Sequence, residues 1–168
     1  MTPATIWLTG LPCAGKTTLG RALAEALRSR GEGVVVLDGD EVRRTLSAGL
    51  GFDEASRREN VRRVGAAAQL ITRSGIFAVV ALISPSRTAR DEVRALHERF
   101  VEVYLSAPLS VCEARDTKGL YARGRAGLVR DVTGLDAEFE APTRPEVVVG
   151  ADLSVSASVE LVLNELRS

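Results

Sequence analysis

The sequence predicts an α/β protein, a three-layer sandwich in which a parallel five-stranded sheet is flanked by helices on both faces. Three observations predict it. Short β-branched runs alternate with stretches of helical periodicity along the chain, as βα units do. One run, Val34 to Leu37, is apolar without interruption, as a strand covered on both faces requires. A glycine-rich loop joins the first run to the first helical stretch, at the strand end where α/β sheets bind ligands.

The first strand is Ile6 to Thr9, and the helix after its loop runs from about Lys16 to Arg30, with Leu19, Leu23, Ala26 and Leu27 on one face. Gly31 and Gly33 end it. The second strand, Val34 to Leu37, stops at Asp38-Gly39-Asp40, which places two carboxylates at its C-terminal end. A long helix follows from about Glu54 to Ser74, with Val61, Val64, Ala68 and Ile71 as its buried stripe and arginines on the remaining surface. Ile76 to Ile83 is the third strand, Val101 to Leu105 the fourth and Glu146 to Val149 the fifth. Helices from about Arg87 to Arg99 and Ser156 to Leu166 complete the layers. Residues 117–144 are rich in glycine, charge and turn residues, and a long irregular segment of this kind reads as a functional lid or as simple disorder.

At 168 residues the chain has the size of one domain, read as 1–168, and its 45% hydrophobic and 26% charged residues are the balance of a globular protein. Basic and acidic residues number 22 each, so no global field attracts nucleic acid. No apolar run approaches the ~20 residues of a membrane span, and MTPATIWLTG lacks the regions of a secretory signal, so the expected location is cytoplasmic. Cys13 and Cys112 have no metal-site spacing, and the one histidine, His97, falls on an amphipathic helix and receives no catalytic role. Of the 22 basic residues only Lys16 and Lys118 are lysines, and both fall in segments that handle phosphate in this reading.

GLPCAGKT, Gly10 to Thr17, fits the phosphate-loop pattern GxxxxGK[ST] in its required setting between a strand and a helix. Gly10 and Gly15 let the backbone of Leu11, Pro12, Cys13 and Ala14 curl so that its amides face phosphates, with Thr18 one residue into the helix. Lys16 is expected to reach the β- and γ-phosphates of ATP, and Thr17 to offer its hydroxyl to Mg²⁺. Motor ATPases end a central strand in a metal-binding acid, whereas the third strand here ends in Ser84-Pro85; GTPase switches carry Asn-Lys-x-Asp, which this sequence lacks. The acids follow the second strand instead. Asp38 suits the metal and Asp40 suits activation of an acceptor hydroxyl, which favours a small-metabolite kinase; Asp40 also suits the cap of a short helix through Leu46.

GLPCAGKTT, LDGDEVR (Leu37 to Arg43), GLGF (Gly49 to Phe52), RRENVRR (Arg57 to Arg63), ISP (Ile83 to Pro85), VCEARDTKGLYARGRAG (Val111 to Gly127) and TGLDAEFEAP (Thr133 to Pro142) come in the order of the adenylylsulfate kinase family, which the chain closely resembles from about Ile6 to Val149. The resemblance implies transfer of the ATP γ-phosphate to the 3'-hydroxyl of adenylyl sulfate in sulfate activation, with Mg²⁺. It implies that Arg43, Arg57 and Asn60 hold the acceptor, that Phe52 stacks on its adenine, and that Ile83 and Ser84 contribute at the strand end, Ser84 through a binding hydroxyl. Lys118, Gly119 and Leu120, with Arg123 and Arg125, match the closing lid, and Arg115 matches a position beside the ATP adenine. Lys16, Asp38, Asp40, Ser84 and Lys118 are the catalytic set so implied. The family also implies a homodimer and association with a sulfate adenylyltransferase.

The match departs at Val132, where the family usually has a phenylalanine forming the second face of the adenine site. It departs also at Ser86, which replaces an aromatic, and at Gly124, which loosens a lid position. Phe139 is expected to compensate by swinging inward. These changes keep open a related kinase acting on another nucleotide or small-metabolite hydroxyl. A third reading, a nucleotide-binding domain that only regulates a partner, would be expected to have lost Lys16, Asp40 or Lys118.

Overall fold

The computed structural model describes residues 1–168. Its five strands are β1 (Thr5–Thr9), β2 (Val34–Asp38), β3 (Phe77–Ala81), β4 (Phe100–Leu105) and β5 (Val147–Val149). All pair in parallel, in the order β2-β3-β1-β4-β5. β1 is central, so the loop after it sits between β3 and β4, at the crevice of the sheet.

One face carries α1 (Lys16–Arg28) and α7 (Val155–Glu165), whose Leu19, Leu23, Leu27, Val162 and Leu163 pack on Ile6, Leu8, Val101 and Val103. The opposite face carries α3 (Glu54–Arg73) and α4 (Arg87–Arg94), with Val61, Val64, Ala68 and Val93 packed on Trp7, Ala78 and Val80. α2 (Gly39–Arg44), α5 (Leu109–Ala114) and α6 (Leu120–Arg125) are single short turns near the strand ends. No helix is long and apolar enough to cross a membrane.

Several expectations need correction. The run Val34 to Leu37 is covered on both faces only in part: β2 is an edge strand whose residues are each half-buried, with Val34 and Val36 packed toward the α1 face and Leu37 toward the α3 face, so its apolar composition reflects β-propensity at an edge as well as burial. The 117–144 segment is not wholly irregular, since α6 lies in it, started by the Asp116 carboxylate, which accepts from the Leu120 and Ala122 amides at 2.8 and 3.0 Å. Asp40 does not cap α2; Asp38 does, accepting from the Asp40 amide at 3.1 Å. Ser86, which breaks the family's aromatic pattern, caps α4 by accepting from the Ala89 amide at 3.3 Å.

Candidate active site

The phosphate loop leaves β1 at Gly10, whose φ of 152° and lack of a side chain are both required: a Cβ there would lie 2.7 Å from the Leu105 carbonyl oxygen. Cys13 adopts φ 62°, a left-handed conformation that costs a non-glycine residue on the order of 1 kcal/mol. Gly15, also left-handed, delivers the chain into α1 at Lys16. The Lys16 ammonium is folded into its own loop, donating to the carbonyls of Gly10 at 2.9 Å and Leu11 at 2.6 Å. Burial pushes it down to about 8, against smaller opposing effects of Cys112, Cys13 and Asp38.

Thr17, the next residue, donates its hydroxyl to Asp38 Oδ2 at 2.6 Å. This joins the end of β2 to the start of α1. Two hard oxygens in contact, with no cluster of three His, Cys, Asp or Glu around them, fit a cation that keeps most of its coordination for water and phosphate, which is how Mg²⁺ is held. Asp40 lies two residues on, exposed, and its Oδ2 accepts from Lys118 Nζ. That bond raises the lysine's pKa, its largest cause. The two lysines of the chain thus stand on either side of one Asp-Gly-Asp turn.

On the other side of the turn, Arg43 donates to the carbonyls of Leu50 at 3.3 Å and Gly51 at 2.6 Å, with its guanidinium 4.7 Å from the Phe52 ring centre. Burial, and after it repulsion from Arg57, lowers the Arg43 pKa. Two cations close enough to repel form a place where an anion is favoured. Arg57 bridges the Phe52 carbonyl, the Asp131 carbonyl and Thr133 Oγ1, so it ties the start of α3 to the far arm of the lid. Asn60 is buried, and its Oδ1 has no hydrogen-bond partner. Phe52 is 63% exposed, so it is not a core phenylalanine.

Ser84 and Val132 do not fit their expected parts. Ser84 is 3% exposed, its Oγ accepting from Trp7 Nε1 and donating to Thr9 Oγ1, both at 3.0 Å. A hydroxyl engaged on both sides inside the core is not a binding hydroxyl. It holds the left-handed backbone of this residue, φ 42°, while Thr9 Oγ1 donates to the Ile83 carbonyl at 2.7 Å. Val132 is 2% exposed, packed in the core under the lid, and shows no face to a base. Gly124 does not loosen the lid but makes room: a Cβ there would be 2.9 Å from Leu135 Cδ1 and 3.0 Å from Val132 Cγ2. Phe139 has not swung toward Phe52; it stacks on Tyr104, ring centres 6.0 Å apart, beneath Arg90.

Arg115 is exposed at the end of α5 and donates to the Ala151 carbonyl at 3.3 Å, near the loop after β5. Gly119, at φ 65°, turns the chain into α6, and Leu120 packs against the core. Sequence reasoning missed Tyr121, which is 2% exposed and donates to the Pro12 carbonyl at 2.8 Å, docking the lid helix on the phosphate loop. Its signal was present, a tyrosine in a segment otherwise poor in large apolar residues. A cleft of about 460 Å³ lined by Leu11, Tyr104 and residues 134–139 shares only Leu11 with the expected site residues. The chemistry is concentrated instead at the more open junction of phosphate loop, Asp-Gly-Asp turn and lid.

A parallel sheet of this order, with a phosphate loop on its central strand and an acid, Asp38, ending the edge strand β2 in contact with Thr17, defines a P-loop kinase. The model of the adenylylsulphate kinase family matches residues 2–150, and the chain belongs to that family. It is 52% identical over 165 residues to an adenylyl-sulfate kinase of Synechococcus sp. strain JA-3-3Ab, covering 98% of this chain and 94% of that one. The fold superposes with a TM-score of 0.96 on the APS kinase of Mycobacterium tuberculosis in complex with AMPPNP and APS, at 37% identity and 99% coverage of both chains. A hexameric APS kinase from Thiobacillus denitrificans is 35% identical with a TM-score of 0.74, over 99% of this chain and 29% of that one.

Proposed function

We propose that the chain transfers the γ-phosphate of ATP to the 3'-hydroxyl of adenylyl sulfate, giving ADP and 3'-phosphoadenylyl sulfate. The observation that carries the proposal is the Asp-Gly-Asp turn, which touches the phosphate loop through Asp38 and Thr17 and the lid through Asp40 and Lys118. Donor and acceptor machinery meet there within three residues.

In this reading the loop amides from Leu11 to Gly15 and Lys16 cradle the triphosphate, with Thr18 following on α1 and Arg115 beside the adenine. Lys16 exchanges its bonds to the Gly10 and Leu11 carbonyls for phosphate oxygens. Thr17 and Asp38 would hold Mg²⁺, which neutralises phosphate charge when bound. Arg43, Arg57 and Asn60 take the phosphosulfate and ribose, and Phe52 stacks on the acceptor base, with Ile83 contributing backbone. Asp40 receives the proton of the 3'-hydroxyl as its oxygen forms a bond to the γ-phosphorus and the bond from that phosphorus to the β,γ-bridging oxygen breaks, leaving ADP. Lys118 leaves Asp40 for the transferring group as the segment 117–144 closes over both substrates.

A cytoplasmic location, a homodimer and a sulfate adenylyltransferase as the source of adenylyl sulfate belong to the same reading. Incubation with ATP, Mg²⁺ and adenylyl sulfate, followed by phosphorus NMR, is expected to give the 3'-phosphorylated product, with adenylates lacking sulfate far poorer acceptors. Equal turnover of AMP and adenylyl sulfate would overturn the assigned acceptor.

A further inference from the structure

Beyond β3 the chain turns through Ser84 and Pro85 into α4, and the returning arm of the lid segment meets it there. The Glu140 amide donates to the Pro85 carbonyl at 3.0 Å, and the Arg87 amide donates to Glu140 Oε2 at 2.7 Å. The Arg87 guanidinium reaches the Ala141 carbonyl through Nε at 3.3 Å and Nη2 at 3.0 Å. Arg90 joins both sides of this seam, donating through Nη1 to the Ser84 carbonyl and through Nη2 to the Glu140 carbonyl, each at 2.6 Å. Its Nε donates to Glu102 Oε1 on β4 at 2.8 Å, and the residue is 2% exposed.

A buried Arg–Glu pair between α4 and β4 would ordinarily only fasten helix to sheet. Arg94 already does so, donating to Glu102 Oε2 at 3.1 Å and pairing with Glu146 at 2.6 Å. What Arg90 adds is the two carbonyl contacts, one on the left-handed Ser84 and one on the lid's root. Only a planar fork spans two carbonyls and a carboxylate; an ammonium in the same place keeps the charge and loses the span.

We propose that Arg90 is a positioning residue for phosphoryl transfer, fixing the Ile83–Ser84 backbone beside the acceptor in register with the root of the lid at Glu140. The inference rests on the kinase reading above. The seam holds Ile83 and Ser84, which the kinase reading puts beside the acceptor, and its bonds stop at Thr9 on β1 without reaching the phosphate loop itself, so its loosening acts on the acceptor more than on the donor.

The test is Arg90→Lys, with Arg87→Met as a second variant that cuts the Ala141 contacts outside the buried network. Thermal melts establish that each is folded at the assay temperature. Arg90→Lys is expected to raise KM for adenylyl sulfate about tenfold with KM for ATP within about twofold of the parent. Arg87→Met is expected to raise KM for adenylyl sulfate less, with the same split. Amide hydrogen exchange at Glu140 is expected to accelerate in Arg90→Lys. Unchanged KM for adenylyl sulfate in both folded variants, or a parallel rise in both KM values, overturns the proposal; if Arg90→Lys does not fold, Arg87→Met decides by the same split. A parent chain that does not turn over adenylyl sulfate would sink the kinase reading instead. The Glu140 amide then still decides this one, since unchanged exchange in Arg90→Lys overturns it.

Discussion

Lys16 couples nucleotide binding to a proton. In the loop its ammonium is buried against two carbonyls, which pushes its pKa down to about 8 from 10.5. At pH 8.5 such a group is neutral in roughly three-quarters of the molecules, and at pH 7 in about a tenth. A bound triphosphate favours the charged form and restores the proton. Binding of a non-hydrolysable ATP analogue with Mg²⁺ is therefore expected to take up about 0.7 proton at pH 8.5 and about 0.1 at pH 7. Calorimetry in buffers of different ionisation enthalpy measures this directly, because the observed heat varies with the buffer's enthalpy in proportion to the protons exchanged. Lys16→Met should abolish the difference between the two pH values. The same burial has a consequence for stability. Holding Lys16 charged costs the fold about 3 kcal/mol relative to solvent, a cost present in full below pH 8 and relieved as pH rises from 8 toward 10.5. Uptake at pH 8.5 no larger than at pH 7, in a protein that binds the analogue at both, would refute the argument.

Asp40→Asn is expected to lower kcat by about 10² to 10⁴ while leaving the melting temperature nearly unchanged, because the Asp40–Lys118 pair is two-thirds exposed; steady-state assay and thermal melts check the two halves. Glu102→Ala leaves Arg90 buried without its carboxylate and should destabilise the fold by about 3 to 5 kcal/mol in urea unfolding. Gly65→Ala places a Cβ 2.7 Å from both methyls of Val93, where α3 crosses α4, and should cost about 1 to 3 kcal/mol, with Val93→Ala in the same chain recovering part of the loss.

The sheet, the helices and the phosphate loop were legible because each is a local pattern: strand runs of four to eight residues, a stripe on α1, and glycines where φ must be positive. The double role of Asp38 was only half legible. Its proposed metal-binding part follows from its place after a strand, but its bonds to Thr17 and the Asp40 amide depend on how β2 ends beside the start of α1. Ser84 and Val132 were misread for one reason. A motif gives neighbours along the chain, while the direction of a side chain is set by the tertiary packing it meets, here Trp7 and Thr9 for Ser84 and, for Val132, the core cluster on the α1 side of the sheet. The Arg90–Glu102 seam was hidden in the same way. Its one trace was Glu102, an acid inside the apolar strand Phe100–Leu105, which burial obliges to find a cation.

The proposed exchange at the site also explains why its central pair should be weak. In the proposed reaction Lys118, paired with Asp40 here, leaves it when an acceptor hydroxyl arrives. A buried ion pair would resist that exchange, since breaking it strands two desolvated charges. At 68% and 66% exposure the Lys118–Asp40 pair is instead hydrated on both members, and water takes over each contact as it is lost. The firm attachments of the lid lie elsewhere, at the buried Tyr121 hydroxyl on Pro12 and at the Glu140–Pro85 seam. Anchored at Tyr121 and at Glu140 and only loosely latched at its start, the segment is free to exchange partners at Lys118, as that residue's proposed role requires.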